Sequence, residues 1–277
     1  MGKFDGILLC SDLDDTLLTT EKTISEENKK AIAYFKEEGG LFTFATGRTV
    51  LGLGLPLAMV EPNAPVICFN GCGIYDPFDK KMLWERSLDK SAVRVIEFVE
   101  QNYPFSGIEV CTAEHVYFCR ENELVAAHRR VERLPELVVD YHDIAEPWKK
   151  ALFIQKPEEL PLVKNGLLTS AFTRSYDFVQ SDPRYYELLP KGASKGAALL
   201  ELARLLGIDA AFTIGIGDNE NDLTMVQNAG VGVAVANAIP AVLDAADVIS
   251  TDNNTNAIAT VIYGIEQGLI FSNCRVE

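Results

Sequence analysis

The sequence predicts an α/β protein: a doubly wound parallel-sheet core with a second, α+β domain inserted into it. Three observations lead there. Short apolar runs without alternation occur at both ends of the chain, the mark of strands buried on both faces. Helical patterns separate those runs, as in a sheet built from β-α units. The middle of the chain differs and carries alternating runs of the antiparallel kind.

Residues 6–10 form the first expected strand. Residues 25–38 form a helix, with Ser25 as its cap, Ala31, Ile32 and Phe35 on its apolar face, and Gly39 and Gly40 as its stop. Strands follow at 41–45 and 65–69. A helix at 194–206 carries the stripe Ala198, Leu199, Leu202, Leu205 and Leu206 and ends at Gly207. Then come a strand at 211–216, a helix at 222–228, a strand at 231–235, a helix at 240–246, a short strand at 247–250 and a last helix at 256–267. Within 85–189 the pattern gives an amphipathic helix at 91–100 and half-buried strands at 109–113, 115–119, 151–155 and 185–189. Both chain ends belong to the β-α layer. An insertion therefore fits better than a tandem pair: residues 1–84 and 190–277 form the core, and 85–189 the inserted domain.

The chain has 277 residues, 48% hydrophobic and 23% charged, enough to bury a sizeable core and too apolar for a disordered protein. Lys and Arg number 25 and Asp and Glu 40, a net charge of −15. Such a surface repels nucleic acid and anionic membranes, and neither is an expected partner. An anionic substrate would need a local cationic site. The cysteines, Cys10, Cys68, Cys72, Cys111, Cys119 and Cys274, form no C-x-x-C pair, so zinc and disulfides are not expected and the reducing cytoplasm is the expected compartment. No targeting segment is expected: Gly6 breaks a myristoylation pattern, Arg275 and Glu277 a prenylation box, and Gly52, Gly54 and Pro56 interrupt the longest apolar stretch.

Two acidic motifs stand at expected strand ends, where open α/β sheets place their ligands. The first runs from Ser11 through Asp12, Leu13, Asp14 and Asp15 to Thr16. Asp12 and Asp14 are two residues apart and can point to one side. Paired carboxylates repel unless a cation or a shared proton relieves them; Mg²⁺ suits hard oxygen ligands. One carboxylate can then attack phosphorus while the other handles protons. Taken alone, the plainer reading is an acidic turn capping the next element. The second motif runs from Gly215 through Gly217, Asp218, Asn219 and Asn221 to Asp222. Asp218 is placed to complete an oxygen shell begun by Asp12 and Asp14, and Asp222 to orient neighbours or cap the next helix. The spaced ligands of a calcium loop are missing.

Cationic and hydroxyl groups follow two more element ends. Thr46, Gly47 and Arg48 come after the second strand. Ser194, Lys195 and Gly196 open a helix, whose N-terminus favours anions; Walker spacing is missing. In isolation Lys195 reads as a solvated lysine and Arg48 as an ordinary ion pair.

The four elements in this order resemble the haloacid dehalogenase-like hydrolase superfamily, and the run at 194–196 resembles its Cof-type phosphatases with a large inserted cap. The resemblance implies that Asp12 is the nucleophile, forming a phosphoaspartate. It implies that Asp14 is the acid for the leaving group and then the base for water. Asp12, the Asp14 backbone carbonyl and Asp218 would hold Mg²⁺. Thr46 and Lys195, the amides of Leu13 and Gly47, and Asn221 would bind the phosphoryl group, with Asp222 and Arg48 in support. The implied substrate is a small phosphorylated metabolite such as a sugar phosphate. The cap decides which one, and its closure would exclude bulk water and large substrates. Asp14 speaks against the dehalogenase and phosphonatase branches, which lack it. The chain departs from the pattern at Asp15 and Asn256, where relatives often carry Gly. A phosphotransferase of the phosphomannomutase kind shares the motifs. A non-catalytic phosphate-binding protein is the other alternative, and the intact Asp12, Asp14, Lys195 and Asp218 oppose it. His115, His128 and His142 all fall in the insertion and read as surface or internally satisfied residues; Trp84 and Trp148 read as packing anchors.

Overall fold

A computed structural model describes residues 2–270; Cys274 lies outside them. Contacts divide the chain into two compact units. Among the described residues, one comprises 2–47, 54–84 and 194–270, and the other 48–53 and 85–193.

The first unit opens with β1 (Leu8–Ser11), α1 (Glu26–Glu37), β2 (Leu41–Phe44), α2 (Gly54–Met59), β3 (Val66–Cys68), β4 (Gly73–Asp76) and β5 (Lys81–Glu85). The second contains α3 (Val93–Asn102), β6 (Gly107–Cys111), β7 (Val116–Arg120), α4 (Glu123–Glu132), β8 (Lys150–Ile154), α5 (Leu160–Thr169), β9 (Tyr176–Asp182) and β10 (Tyr185–Pro190). The chain then returns to the first unit through α6 (Lys195–Leu206), β11 (Thr213–Gly217), α7 (Leu223–Asn228), β12 (Val231–Ala234), α8 (Pro240–Ala245), β13 (Val248–Ile249) and α9 (Ala257–Glu266).

The first unit is built on a parallel sheet of order β13-β12-β11-β1-β2. Its centre is mostly apolar: Leu8, Leu9, Cys10, Phe42, Phe44, Ile214 and Ile216 have no exposed surface, which is why these strands read as hydrophobic runs without alternation. β1 lies between the strand that follows it and one reached only after the whole second unit. The strand order reverses there, and this is where such sheets carry ligands. Ser11 pairs in register with Ile216 on one side and Phe44 on the other. Asp12, Asp218 and Thr46 therefore leave the sheet at the same end. Ser25 caps α1, accepting from the Asn28 amide at 3.2 Å, and Ser194 caps α6, accepting from Ala197 at 3.1 Å.

The β3–β4 hairpin is antiparallel, and β3 joins the main sheet by a single parallel bridge, Ala45 to Ile67. β11 starts two residues later than its apolar run suggests, because Asp209 caps a tight turn over Ala210–Phe212.

The second unit is a sheet of order β7-β6-β8-β10-β9. On one face Ile108, Val110, Ala151, Phe153, Tyr186 and Leu188 pack with α3 and α5 in a single core that includes Trp148. The sequence predicts half-buried strands here, but β6 and β8 are buried along their whole length. The opposite face holds Glu109, Lys150 and Glu187, all buried. Lys150 Nζ pairs with Glu187 at 2.5 Å, and Glu109 with His128 of α4 at 2.9 Å. Paired in this way, charged side chains can occupy positions that alternation assigns to solvent. No helix among the described residues is long and apolar enough to cross a membrane.

Candidate active site

The site gathers at the sheet end just described. Asp12 follows β1, its amide donating to the Ile216 carbonyl at 2.9 Å. It is 6% exposed. Burial, then the charge of Asp222, push its carboxyl well above the usual range, and Lys195 opposes that shift. Lys195, in the first turn of α6, is wholly buried. Its Nζ lies 2.5 Å from Asp12 Oδ1 and 2.6 Å from Asp222 Oδ1. Burial works against its charge, but the two carboxylates outweigh that and hold the ammonium above its ordinary value.

Asp218 follows β11. Burial and the neighbouring Asp222 raise its carboxyl to about 7, against a 2.9 Å hydrogen bond donated by Thr16. Asp222 is fully buried. Its Oδ2 accepts from the amides of Asp218 and Asn219, each at 3.1 Å, so one carboxylate braces the loop and faces Lys195 together. Carboxylate oxygens of Asp12, Asp218 and Asp222 lie within 4.8 Å of one another. This all-oxygen, largely buried donor set has the chemistry of a hard divalent cation site.

The spacing argument predicts that the Asp14 side chain joins Asp12 and Asp218, and here the structure differs. The chain leaves the strand at Asp12 and turns through Leu13–Leu17, so strand alternation no longer sets direction. The Asp14 side chain is 39% exposed and lies 3.2 Å from Lys22 Nζ; Asp222 takes its place in the carboxylate group. Asp15 sits in the left-handed region, φ 59°, with its side chain toward Lys22 at 3.4 Å. Asn256, the other departure from the family pattern, has φ 65°. Both positions need the conformation that Gly adopts freely and that Asp and Asn tolerate better than other residues.

Leu13 and Thr46 are buried beside the motif, and the Thr46 amide donates to Ile67 at 2.9 Å. Asn221 Nδ2 donates to Asn70 Oδ1 at 3.0 Å. Arg48 goes to different company: its guanidinium pairs with Glu132 at 3.0 Å inside the second unit. Sequence reasoning missed two contributors. Thr16 stood in the motif without a role, and Lys22 had only its charge to signal it. The histidines have partners in the second unit: His115 with Glu146, His128 with Glu109, His142 with Asp140.

A protein-family model described as haloacid dehalogenase-like hydrolase matches residues 9–262, and the chain belongs to that family. Its relatives make it a phosphoric monoester hydrolase. YxeH of Bacillus subtilis is 33% identical over 270 residues, covering 92% of this chain and 97% of the relative. The B. subtilis 5-amino-6-(5-phospho-D-ribitylamino)uracil phosphatase YitU is 26% identical over 258 residues, covering 91% and 94%. A haloacid dehalogenase-like hydrolase from Bacteroides thetaiotaomicron superposes with a TM-score of 0.80 at 29% identity, covering 94% of this chain and 99% of that one.

Proposed function

We propose that the chain hydrolyses the phosphate ester of a small metabolite through a phosphoaspartate on Asp12. The observation that carries this reading is the buried Lys195 ammonium, 2.5 Å from Asp12 within a group of three carboxylates. Burial disfavours the anion that Asp12 needs as a nucleophile. Lys195 favours the anion and leaves a cationic face for a phosphoryl oxygen.

Asp12 attacks phosphorus, forming an O–P bond as the ester oxygen departs. Asp14, on the turn beyond the nucleophile, gives that oxygen a proton. It then takes a proton from the water that attacks the phosphoaspartate, and Asp12 is freed as phosphate leaves. Thr46, Asn221 and the amides of Leu13 and Gly47 bind the phosphoryl oxygens. Asp12, Asp218 and Asp222, with the Asp14 carbonyl, would hold Mg²⁺, which when bound neutralises charge on the transferring group. Positioning and charge neutralisation are most of what phosphoryl transfer requires.

The class of substrate follows the relative that acts on a small phosphate ester. A panel of phosphorylated metabolites, sugar phosphates included, assayed with Mg²⁺ for released phosphate, tests the reading. Turnover of a small ester supports it. Transfer to a second sugar without phosphate release would make the chain a phosphotransferase, and binding without either would make it a sensor.

A further inference from the structure

The turn after β3 touches three parts of the candidate site. Phe69, Asn70 and Gly71 all have positive φ, at 54°, 54° and 90°. Phe69 is bulky for that region, and strain of this kind persists where the surroundings impose it. The Asn70 amide donates to the Thr46 carbonyl at 3.1 Å. A Cβ on Gly71 would fall 2.1 Å from the Ser194 carbonyl oxygen, so the turn is pressed against the residue before Lys195. A Cβ on Gly47 would fall 3.0 Å from Asn70 Oδ1 and 3.1 Å from its Nδ2. The Asn70 carboxamide thus occupies the space beside Gly47, and its Oδ1 accepts from Asn221.

The two ends of that carboxamide differ. Asn70 is 1% exposed, yet its Nδ2 has no hydrogen-bond partner among the described residues. Buried amide donors are nearly always paired. This one sits between Gly47 and Asn221, both of which the proposed reading assigns to the phosphoryl group.

We propose that Asn70 donates its side-chain NH₂ to an oxygen of the phosphoryl group, a binding residue beyond those in the four motifs. The inference rests on the phosphatase reading. A donor to a charged acceptor forms one of the stronger hydrogen bonds, and the Oδ1 bond to Asn221 fixes which end of the amide faces the ligand.

The test measures binding of inorganic phosphate by calorimetry with saturating Mg²⁺, alongside steady-state phosphate release. Asn70→Gly removes the carboxamide at a φ that glycine adopts without strain. It should weaken phosphate binding on the order of ten-fold or more. Asn70→Asp keeps the shape and the acceptor for Asn221 but loses the donor, and should bind phosphate at least as poorly. Asn70→Gly with Asn221→Ala should lose more than either alone. Wild-type phosphate affinity in either Asn70 variant overturns the proposal. So does a double variant no weaker than Asn221→Ala, since Asn70 would then act only through Asn221. A wild-type chain that neither binds phosphate nor releases it from any ester overturns the phosphatase reading itself, and this inference with it.

Discussion

Lys195 Nζ and Asp12 Oδ1 lie 2.5 Å apart with the lysine wholly buried, so the two residues set each other's charge. Replacing one partner of a buried pair strands the other in low dielectric. Lys195→Met should destabilise the first unit by about 3 kcal/mol and lower kcat on the order of a hundred-fold. Urea unfolding and steady-state kinetics at neutral pH check both. A variant that unfolds at the wild-type midpoint would show that Asp12 and Asp222 do not depend on the lysine.

The carboxylate group makes the metal reading testable without activity. Mg²⁺ bound to the folded chain alone should raise Tm with concentration, and EDTA should abolish phosphate release. Asp218→Asn should shift the Mg²⁺ concentration needed for both effects upward while substrate preference stays as in the wild type. Full turnover in metal-free buffer would sink the assignment.

Asp15 and Asn256 make a purely structural prediction. Each holds a left-handed φ, 59° and 65°. Asp15→Ala and Asn256→Ala should each cost about 1 kcal/mol, whereas Asp15→Gly and Asn256→Gly should lie within about 0.5 kcal/mol of wild type. Chemical denaturation of the four variants measures this. Alanine and glycine variants of equal stability would show that the backbone at these positions is not strained.

The parallel sheet was readable in the sequence because its central strands are buried on both faces and so appear as apolar runs without alternation. The caps Ser25 and Ser194 were readable because their chemistry is local. β5, β9 and α4 were not: Lys81–Glu85, Tyr176–Asp182 and Glu123–Glu132 mix charge with short apolar stretches, so neither a continuous apolar run nor a clear stripe marks them. The position of the Asp14 side chain depends on the turn at Leu13–Leu17, which strand periodicity does not describe. The partner of Arg48 is Glu132, 84 residues away. Asn70 follows the expected strand at 65–69, and nothing local shows that its side-chain amide reaches Asn221.

His128 gives a pH dependence. Burial disfavours its charge, but the Glu109 carboxylate, by charge and hydrogen bond, outweighs burial, with Glu132 adding and Lys150 opposing; the net shift is upward from 6.5. A pKa raised on folding contributes stability that is complete below the unfolded value and is lost as pH rises through the folded one. The difference in unfolding free energy between wild type and His128→Gln should therefore be largest near pH 6 and shrink as pH rises above 6.5. Urea titrations of both proteins in half-unit steps from pH 6 to 9 check this. A difference that is flat, or that grows with pH, would mean the imidazole is neutral in the folded chain.

The roles proposed for Asp12 and Asp14 separate by choice of leaving group. Asp12→Asn removes the attacking anion and should abolish turnover on every ester. Asp14→Asn keeps the nucleophile and loses the proton donor. An alkyl phosphate departs as a basic alkoxide and needs that proton; a nitrophenyl phosphate departs as a stable phenolate and needs it far less. The variant should therefore still transfer phosphate from the nitrophenyl ester to Asp12. Without a base for water, the phosphoaspartate should then persist. The expected trace is a stoichiometric burst of nitrophenolate followed by slow turnover, with a phosphorylated Asp12 peptide recovered on rapid acid quench. The location of Asp14, 39% exposed and beside Lys22, makes a second outcome readable. If alkyl and aryl esters slow equally, with no burst and no phosphopeptide, Asp14 serves the ion pair with Lys22 and the shape of the turn rather than proton transfer. A phosphopeptide mapping to Asp14 or Asp15 would transfer the nucleophile's role away from Asp12, and with it the function assigned to the Lys195 contact.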